Sequence, residues 1–159
     1  MLPPQFPATI EGIVGTEFVR RDEVSRLSYG TDALKQGRPA DLVVLPATAA
    51  EISSIARLCH DMRVPLVGRG AGTGYTGGAV PVEGGVVVSV ERLNRILEID
   101  ETNLLAIVQP AVITGDLQDA VESRGLFYPP DPQSFKESSI GGNVAECAGG
   151  PRARRRCRR

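Results

Sequence analysis

Glycine is crowded into two short stretches of this chain, and that placement constrains its folding more than any other feature. Eight of the eighteen glycines fall between Gly68 and Gly85, and four more stand at Gly141, Gly142, Gly149 and Gly150. Glycine loses more conformational freedom on folding than any other residue, so such density needs a reason in backbone geometry. The stretch GRGAGTGYTGG, Gly68 to Gly78, follows an apolar segment, lacks bulky side chains at alternate positions and interleaves the hydroxyls of Thr73 and Thr76. Successive backbone N–H groups turned inward make a nest for an anion, and a phosphate group suits it, with Arg69 at hand for charge. The plain alternative is a tight multi-turn loop that binds nothing.

Two familiar phosphate motifs are excluded. Gly72, Gly74 and Gly77 satisfy G-x-G-x-x-G, but a dinucleotide fingerprint of the Rossmann kind opens a helix at its glycines, and Pro81, Gly84 and Gly85 forbid one here. A Walker A loop needs lysine before Ser or Thr, and the only lysines are Lys35 and Lys136. Nucleoside triphosphate hydrolysis is therefore not expected.

Around the first glycine run the apolar pattern alternates between strand and helix. Asp41 to Leu45 reads as a strand closed by Pro46, and Thr48-Ala49-Ala50-Glu51 as a capping box. Ile52, Ile55, Ala56, Cys59 and Met62 recur at helical spacing, which predicts one buried face, and Pro65 stands where that helix should have stopped. Pro65 to Gly68 and Val86 to Val90 read as strands. Ile96 to Ile99 and Leu104 to Gln109 read as a hairpin turned at Asp100 to Asn103. Thr114 is the expected N-cap of a second helix running through Arg124, which Gly125 ends in the left-handed conformation. Strands, helices and a hairpin in this order predict an α+β or mixed α/β fold rather than a sandwich or a bundle.

The second glycine cluster lies in YPPDPQSFKESSIGGNVAECAGG, Tyr128 to Gly150, where a stiff proline turn precedes Ser134, Ser138, Ser139, Gly141, Gly142 and Asn143. Proline fixes the backbone, and glycine lets a ligand come close to it. Two such loops suit an extended ligand with phosphates at one and a polar ring at the other. By itself the second segment also reads as a structured surface loop.

The order DLVVLP, GRGAGTGYTGGAVPVEGG, QPAV, LFYPPDPQS and SSIGGNVAECAGG resembles the FAD-binding domain of the FAD-linked oxidases. This is the superfamily of vanillyl-alcohol oxidase and p-cresol methylhydroxylase, and the similarity is greatest to the branch of glycolate oxidase D subunits and D-lactate dehydrogenases. It extends over about Ser28 to Pro151. The resemblance implies a PCMH-type FAD-binding fold: a small parallel sheet with helices, plus the start of a second α+β lobe that is incomplete. Residues 28–151 would form this partial domain, 1–27 an N-terminal extension and 152–159 an arginine-rich tail foreign to it. By position, Arg69, Gly70, Ala71, Gly72, Thr73, Gly74, Thr76, Gly77 and Gly78 would hold the pyrophosphate. Pro132, Ser134, Ser139, Gly141, Gly142, Asn143 and Ala145 would line the flavin and ribityl side, with Pro46 and Pro110 framing the site. Thr73 stands where some relatives attach FAD through histidine, so noncovalent FAD is implied. The implied chemistry is oxidation of a D-2-hydroxy acid such as glycolate or D-lactate. In full-length relatives the electrons would pass to a quinone, a cytochrome or an iron-sulfur subunit.

Departures from the family pattern carry their own expectations. Ala111 replaces the usual glycine after Pro110, and its methyl group is expected to crowd the turn. Cys147 stands where this branch commonly has asparagine. After Pro151 the sequence becomes RARRRCRR, with six of the sixteen arginines in the last eight positions. The preceding residues hold twelve basic and nineteen acidic side chains, a net of −7, so the total of −1 combines an acidic body with a cationic end. The abrupt change predicts a truncated or frame-shifted chain with weak FAD affinity and no turnover of its own. The competing class is a non-enzymatic protein whose arginines contact nucleic acid or a protein partner. Against it stand the acidic body and the lack of aromatics or helical spacing among the arginines.

No catalytic or metal-binding set is expected. His60 is the only histidine and falls on the first predicted helix, while Cys59, Cys147 and Cys157 lack zinc or disulfide spacing. That cysteine usage fits a reducing, cytoplasmic setting. The N-terminus has no basic segment followed by an apolar one, and no apolar run approaches the length of a membrane span, which predicts a soluble protein.

Overall fold

The computed structural model describes residues 2–152. The arginine run beyond Arg152, and the expectations placed on it, lie outside the described residues. The chain divides into two compact units, the first ending at Arg92 and the second beginning at Leu93.

The first unit is built on a four-stranded sheet. Its elements are α1 (Phe6–Val14), β1 (Val19–Arg20), α2 (Glu23–Tyr29), β2 (Leu42–Val44), α3 (Ala49–Asp61), β3 (Leu66–Arg69) and β4 (Val86–Ser89). The strand order is β1-β2-β4-β3, with β2, β4 and β3 parallel and β1 antiparallel at the edge. Val43, Val87 and Val67 stand side by side across the parallel strands, as do Val44, Val88 and Gly68. Both faces of β2 and β4 are covered, which is why these strands are unbroken apolar runs rather than alternating ones. Leu42, Val44, Val86 and Val88 meet Phe6, Ile10 and Val14 of α1 and Ile55 and Cys59 of α3. On the opposite face Val43 and Val87 pack with Ala40, Leu45, Phe18 and Tyr29.

Residues 1–27 do not behave as the expected extension. Phe6 and Ile10 are completely buried, and β1 adds a strand to the sheet through the Val19–Val44 register. Asp22 caps α2 by accepting a hydrogen bond from Ser25 N (2.8 Å).

The capping box on α3 forms as its sequence predicts: Glu51 N donates to Thr48 Oγ1 (3.1 Å). The return bond differs by one residue, since the Glu51 carboxylate accepts from Ala47 N (2.8 Å) rather than from the cap residue itself. The buried face of α3 also differs in one member. Ile55 and Cys59 are buried and Ile52 and Met62 half-buried, but Ala56 is exposed and Leu58 packs in its place.

The second unit carries β5 (Ile96–Asp100), β6 (Leu105–Val108), α4 (Thr114–Glu122) and α5 (Ile140–Ala145). β5 and β6 form the expected antiparallel hairpin, with Asp100 Oδ1 accepting from the Thr102 and Asn103 amides (2.9 Å each). Val112, Leu117, Val121 and Ile140 make the core, with Ile96, Ile99, Val108, Leu126 and Tyr128 packed against it. Thr114 is not an N-cap. Ile113 takes that position, and Thr114 is the first helical residue, fully buried, with its hydroxyl turned to Ser138. α4 ends at Glu122, two residues short of Arg124, although Gly125 is left-handed (φ +72°) as expected. The segment read as a loop at Ser139 to Ala145 contains α5, a helix opened by two glycines.

Candidate functional site

The first glycine run leaves the sheet at the C-terminal end of β3 and returns at β4. Parallel sheets place their ligand crevices outside the carboxyl ends of strands, so this position is itself informative. Gly72 (φ +73°) and Gly77 (φ +78°) are left-handed, and no helix opens between Gly70 and Gly85. Among the described residues, the N–H groups of Gly72, Thr73, Gly74, Gly77 and Gly78 donate to no backbone or side-chain acceptor. Thr73 and Gly77 are half-buried, whereas Ala71, Gly74, Thr76 and Gly78 are exposed. Available amides, with open space beside the glycines at 74 and 77, are what a pyrophosphate requires, so these residues fit that group. Pro46 is fully buried at the end of β2.

Arg69 has a different placement from the rest of the run. Its guanidinium donates to the Thr31 carbonyl (2.8 Å) and to the Ser28 carbonyl (3.4 Å), and its Cζ lies 5.8 Å from the centre of the Tyr29 ring. Burial draws its pKa down from the ordinary value, opposed by Tyr29, Glu91 and Asp32. A Cβ built on Gly72 would fall on this guanidinium and displace it, and the left-handed backbone is what favours glycine there. Tyr29 donates to Glu91 Oε2 (2.7 Å), which also accepts from Ser89 Oγ (2.9 Å). Burial, then the Glu91 carboxylate, pushes the Tyr29 hydroxyl up to about 12. The turn at residues 30–37 touches the loop a second time, through Ala33 N to Gly74 O (3.3 Å). Nothing in the composition of this turn marks it as part of the site. Only its closeness in space does.

The second glycine cluster is organised differently, because its donors are already used. Ile140 N donates to Val112 O (2.9 Å), Gly141 N to Pro110 O (2.8 Å) and Gly142 N to Ser139 Oγ (3.4 Å). Asn143, nearly buried, points inward and donates through Nδ2 to Thr114 Oγ1 (2.6 Å), which itself bonds the Ser138 carbonyl (3.0 Å). Ser139 caps α5. A Cβ on Gly141 would come within 2.7 Å of Pro110 Cβ, so this glycine permits a close approach between α5 and the turn at Pro110. Pro132 is buried, and Ser134 O accepts from the Glu137 and Ser138 amides (2.8 and 2.7 Å). Val144 and Ala145 are exposed. The cluster thus offers glycine backbone and small apolar groups rather than hydrogen-bond donors. Ala111 lies outside the left-handed region, so its side chain carries no backbone strain of that kind.

His60 is exposed on α3. Among the described residues, no group of three His, Cys, Asp or Glu side chains is placed to hold a metal ion, and no helix is long and apolar enough to cross a membrane.

Comparison with known proteins bears on both glycine clusters. The family model for the FAD binding domain matches residues 40–158. The glycolate oxidase subunit GlcD of Bacillus subtilis (strain 168) is 50% identical over 141 residues, which cover 88% of this chain and 30% of that protein. The D-lactate dehydrogenase of Anaerostipes hadrus is 42% identical over 133 residues, 83% of this chain and 28% of that protein. This chain therefore spans less than a third of the length of these curated relatives. Among solved structures, an alkyldihydroxyacetonephosphate synthase superposes with a TM-score of 0.84 at 24% identity, covering 94% of this chain and 33% of that one. A p-cresol methylhydroxylase superposes with a TM-score of 0.70 at 20% identity, covering 90% and 28%. The small sheet, the glycine run after β3 and the glycine-opened helix α5 thus occur together on a chain that belongs to the FAD binding domain family and shares its fold with p-cresol methylhydroxylase.

Proposed function

We propose that this chain binds FAD noncovalently through two contributions, the pyrophosphate at the first glycine run and the flavin side at the second cluster. The observation that carries the reading is the row of five available amides at Gly72, Thr73, Gly74, Gly77 and Gly78. Gly70, Ala71, Thr76 and the hydroxyl of Thr73 complete the cradle, and Pro46 stiffens the exit of β2. Pro110, Pro132, Ser134, Ser139, Gly141, Gly142, Asn143 and Ala145 serve the flavin side by shape: the serines and Asn143 hold the backbone, and the glycines and Ala145 leave room for a ring. Thr73 is no nucleophile toward a flavin methyl group under ordinary conditions, which supports noncovalent attachment.

The reaction we assign is oxidation of a D-2-hydroxy acid of the glycolate or D-lactate class, within the larger protein that the relatives represent. FAD, when bound, supplies the acceptor for the hydride equivalent leaving the α-carbon, and the protein binds and orients it. Substrate-binding residues and any electron-accepting subunit, iron-sulfur or other, are assigned to polypeptide beyond the matched third.

Titration of the purified chain with FAD, followed by equilibrium dialysis, tests the binding step. Saturable but weak binding is expected, with little flavin retained on purification and no bleaching on adding glycolate or D-lactate. FAD retention no greater than that of riboflavin, which lacks the pyrophosphate, would refute the assignment of the first glycine run.

A further inference from the structure

Arg69 is the one charged residue of the glycine run, and its guanidinium is aimed at protein rather than at the open side of the loop. Ser28 lies in the last turn of α2, where helix carbonyls have no partner along the helix and a cation is favourable. Arg69 fills that role from the end of a neighbouring strand, bonding Ser28 O and, across the turn that follows, Thr31 O. Its planar fork serves both carbonyls at once, which an ammonium on a flexible stem does less well. On the other side the same guanidinium occupies the space where Gly72 would carry a side chain. Glu91, accepting from both Tyr29 and Ser89, fixes the ring beside it, and Ser89 is the strand partner of Arg69 in the β3–β4 register.

We propose that Arg69 is a positioning residue, a brace between the C-terminus of α2 and the left-handed backbone at Gly72, and not an ion-pair partner of the phosphates. The turn from Ser28 to Gly37 thereby sets the shape of the amide row, and the affinity of the cradle depends on a segment that never touches the ligand. This inference rests on the proposed placement of the pyrophosphate at the first glycine run.

The test compares the parent chain with Arg69→Gln, Arg69→Lys, Gly72→Ala and the Arg69→Gln/Gly72→Ala double variant. Two measurements are made: amide hydrogen exchange without ligand over residues 30–38, the hydrogen-bonded turn that Arg69 ties to the loop, and FAD affinity at low and high salt. Faster exchange in that turn is expected for both Arg69 variants, together with FAD binding weakened by about tenfold to a hundredfold, the effect of losing a charge-assisted hydrogen bond. The salt dependence of binding should stay that of the parent, because no charge facing the ligand is removed. The double variant should be little worse than Gly72→Ala alone, since both changes act on one contact. Recovery of parental affinity by Arg69→Lys, or a reduced salt dependence in Arg69→Gln, would overturn the proposal in favour of a direct phosphate contact. Unchanged exchange in the turn at residues 30–38 would overturn it as well. If Arg69→Gln does not fold, Arg69→Lys, which keeps the aliphatic stem and the charge, still carries the exchange and affinity readouts. If the parent binds no FAD, the function proposed above fails, while the ligand-free exchange still decides whether Arg69 braces the loop.

Discussion

At Gly141 a single methyl group separates a close approach from a collision. The position is helical, so its backbone would accept alanine, but a Cβ there would meet Pro110 Cβ at 2.7 Å and Pro110 O at 3.0 Å. Neither group can rotate away. Gly141→Ala is expected to cost about 1–3 kcal/mol of stability, the range for overpacking a close contact, and a urea denaturation series measures it. Cys59 gives a second residue-level prediction. Burial pushes its thiol up from 9.0 to about 11, so the folded state holds the neutral form. The stability this contributes is fully present below pH 9 and is lost as the pH rises through about 11. Denaturation midpoints should fall across that window in the parent and fall less in Cys59→Ala. Below it, iodoacetamide should modify the exposed Cys147 well before the buried Cys59. The helical spacing around Cys59 already marked it as core in the sequence. The need for glycine at 141 was visible only as a glycine, because Pro110 is thirty-one positions away in the chain.

Among the elements, the ends of α3 and α5 obey different rules. Thr48 and Glu51 were legible because a capping box is local, a hydrogen-bonded exchange across four consecutive residues. Thr48→Ala should cost about 1 kcal/mol, read as a lowered thermal midpoint. α5 was hidden, because glycines at its second and third positions oppose a helix by propensity. It forms nonetheless, since the Ser139 cap, the Gly141–Pro110 bond and the Asn143–Thr114 bond supply what propensity lacks. Its C-terminus is a Schellman turn: Ala148 N bonds Asn143 O (2.8 Å) and Cys147 N bonds Val144 O (3.4 Å). Cys147 occupies the left-handed position of that turn at φ +53°, where a side chain other than asparagine is strained. Asparagine, which tolerates this conformation, would suit the position better than cysteine does. Cys147→Asn or Cys147→Gly should raise stability by up to about 1 kcal/mol, measurable as a higher denaturation midpoint.

For the whole molecule, the largest difference between expectation and structure is the role of the N-terminal residues. Gly12 and the prolines at 3, 4 and 7 gave α1 a weak local signature. Yet Phe6 and Ile10 are completely buried against the sheet. Phe6→Ala should therefore destabilise the first unit by about 3–5 kcal/mol, as truncation of a fully buried aromatic does. Loss of far-UV dichroism at a lower urea concentration would report it, whereas a detached extension would leave the midpoint unchanged. By itself the sequence determined the strands β2 and β4, the capped helix α3, the hairpin and the two glycine clusters, because apolar period, cap chemistry and glycine placement act within a few residues. Tertiary structure alone decided that α1 joins the core, that Asn143 faces inward and that Arg69 turns from the loop toward the end of α2. Those outcomes depend on which distant groups arrive with unpaired carbonyls or uncovered apolar surface, and neither quantity is carried by any local stretch of the chain.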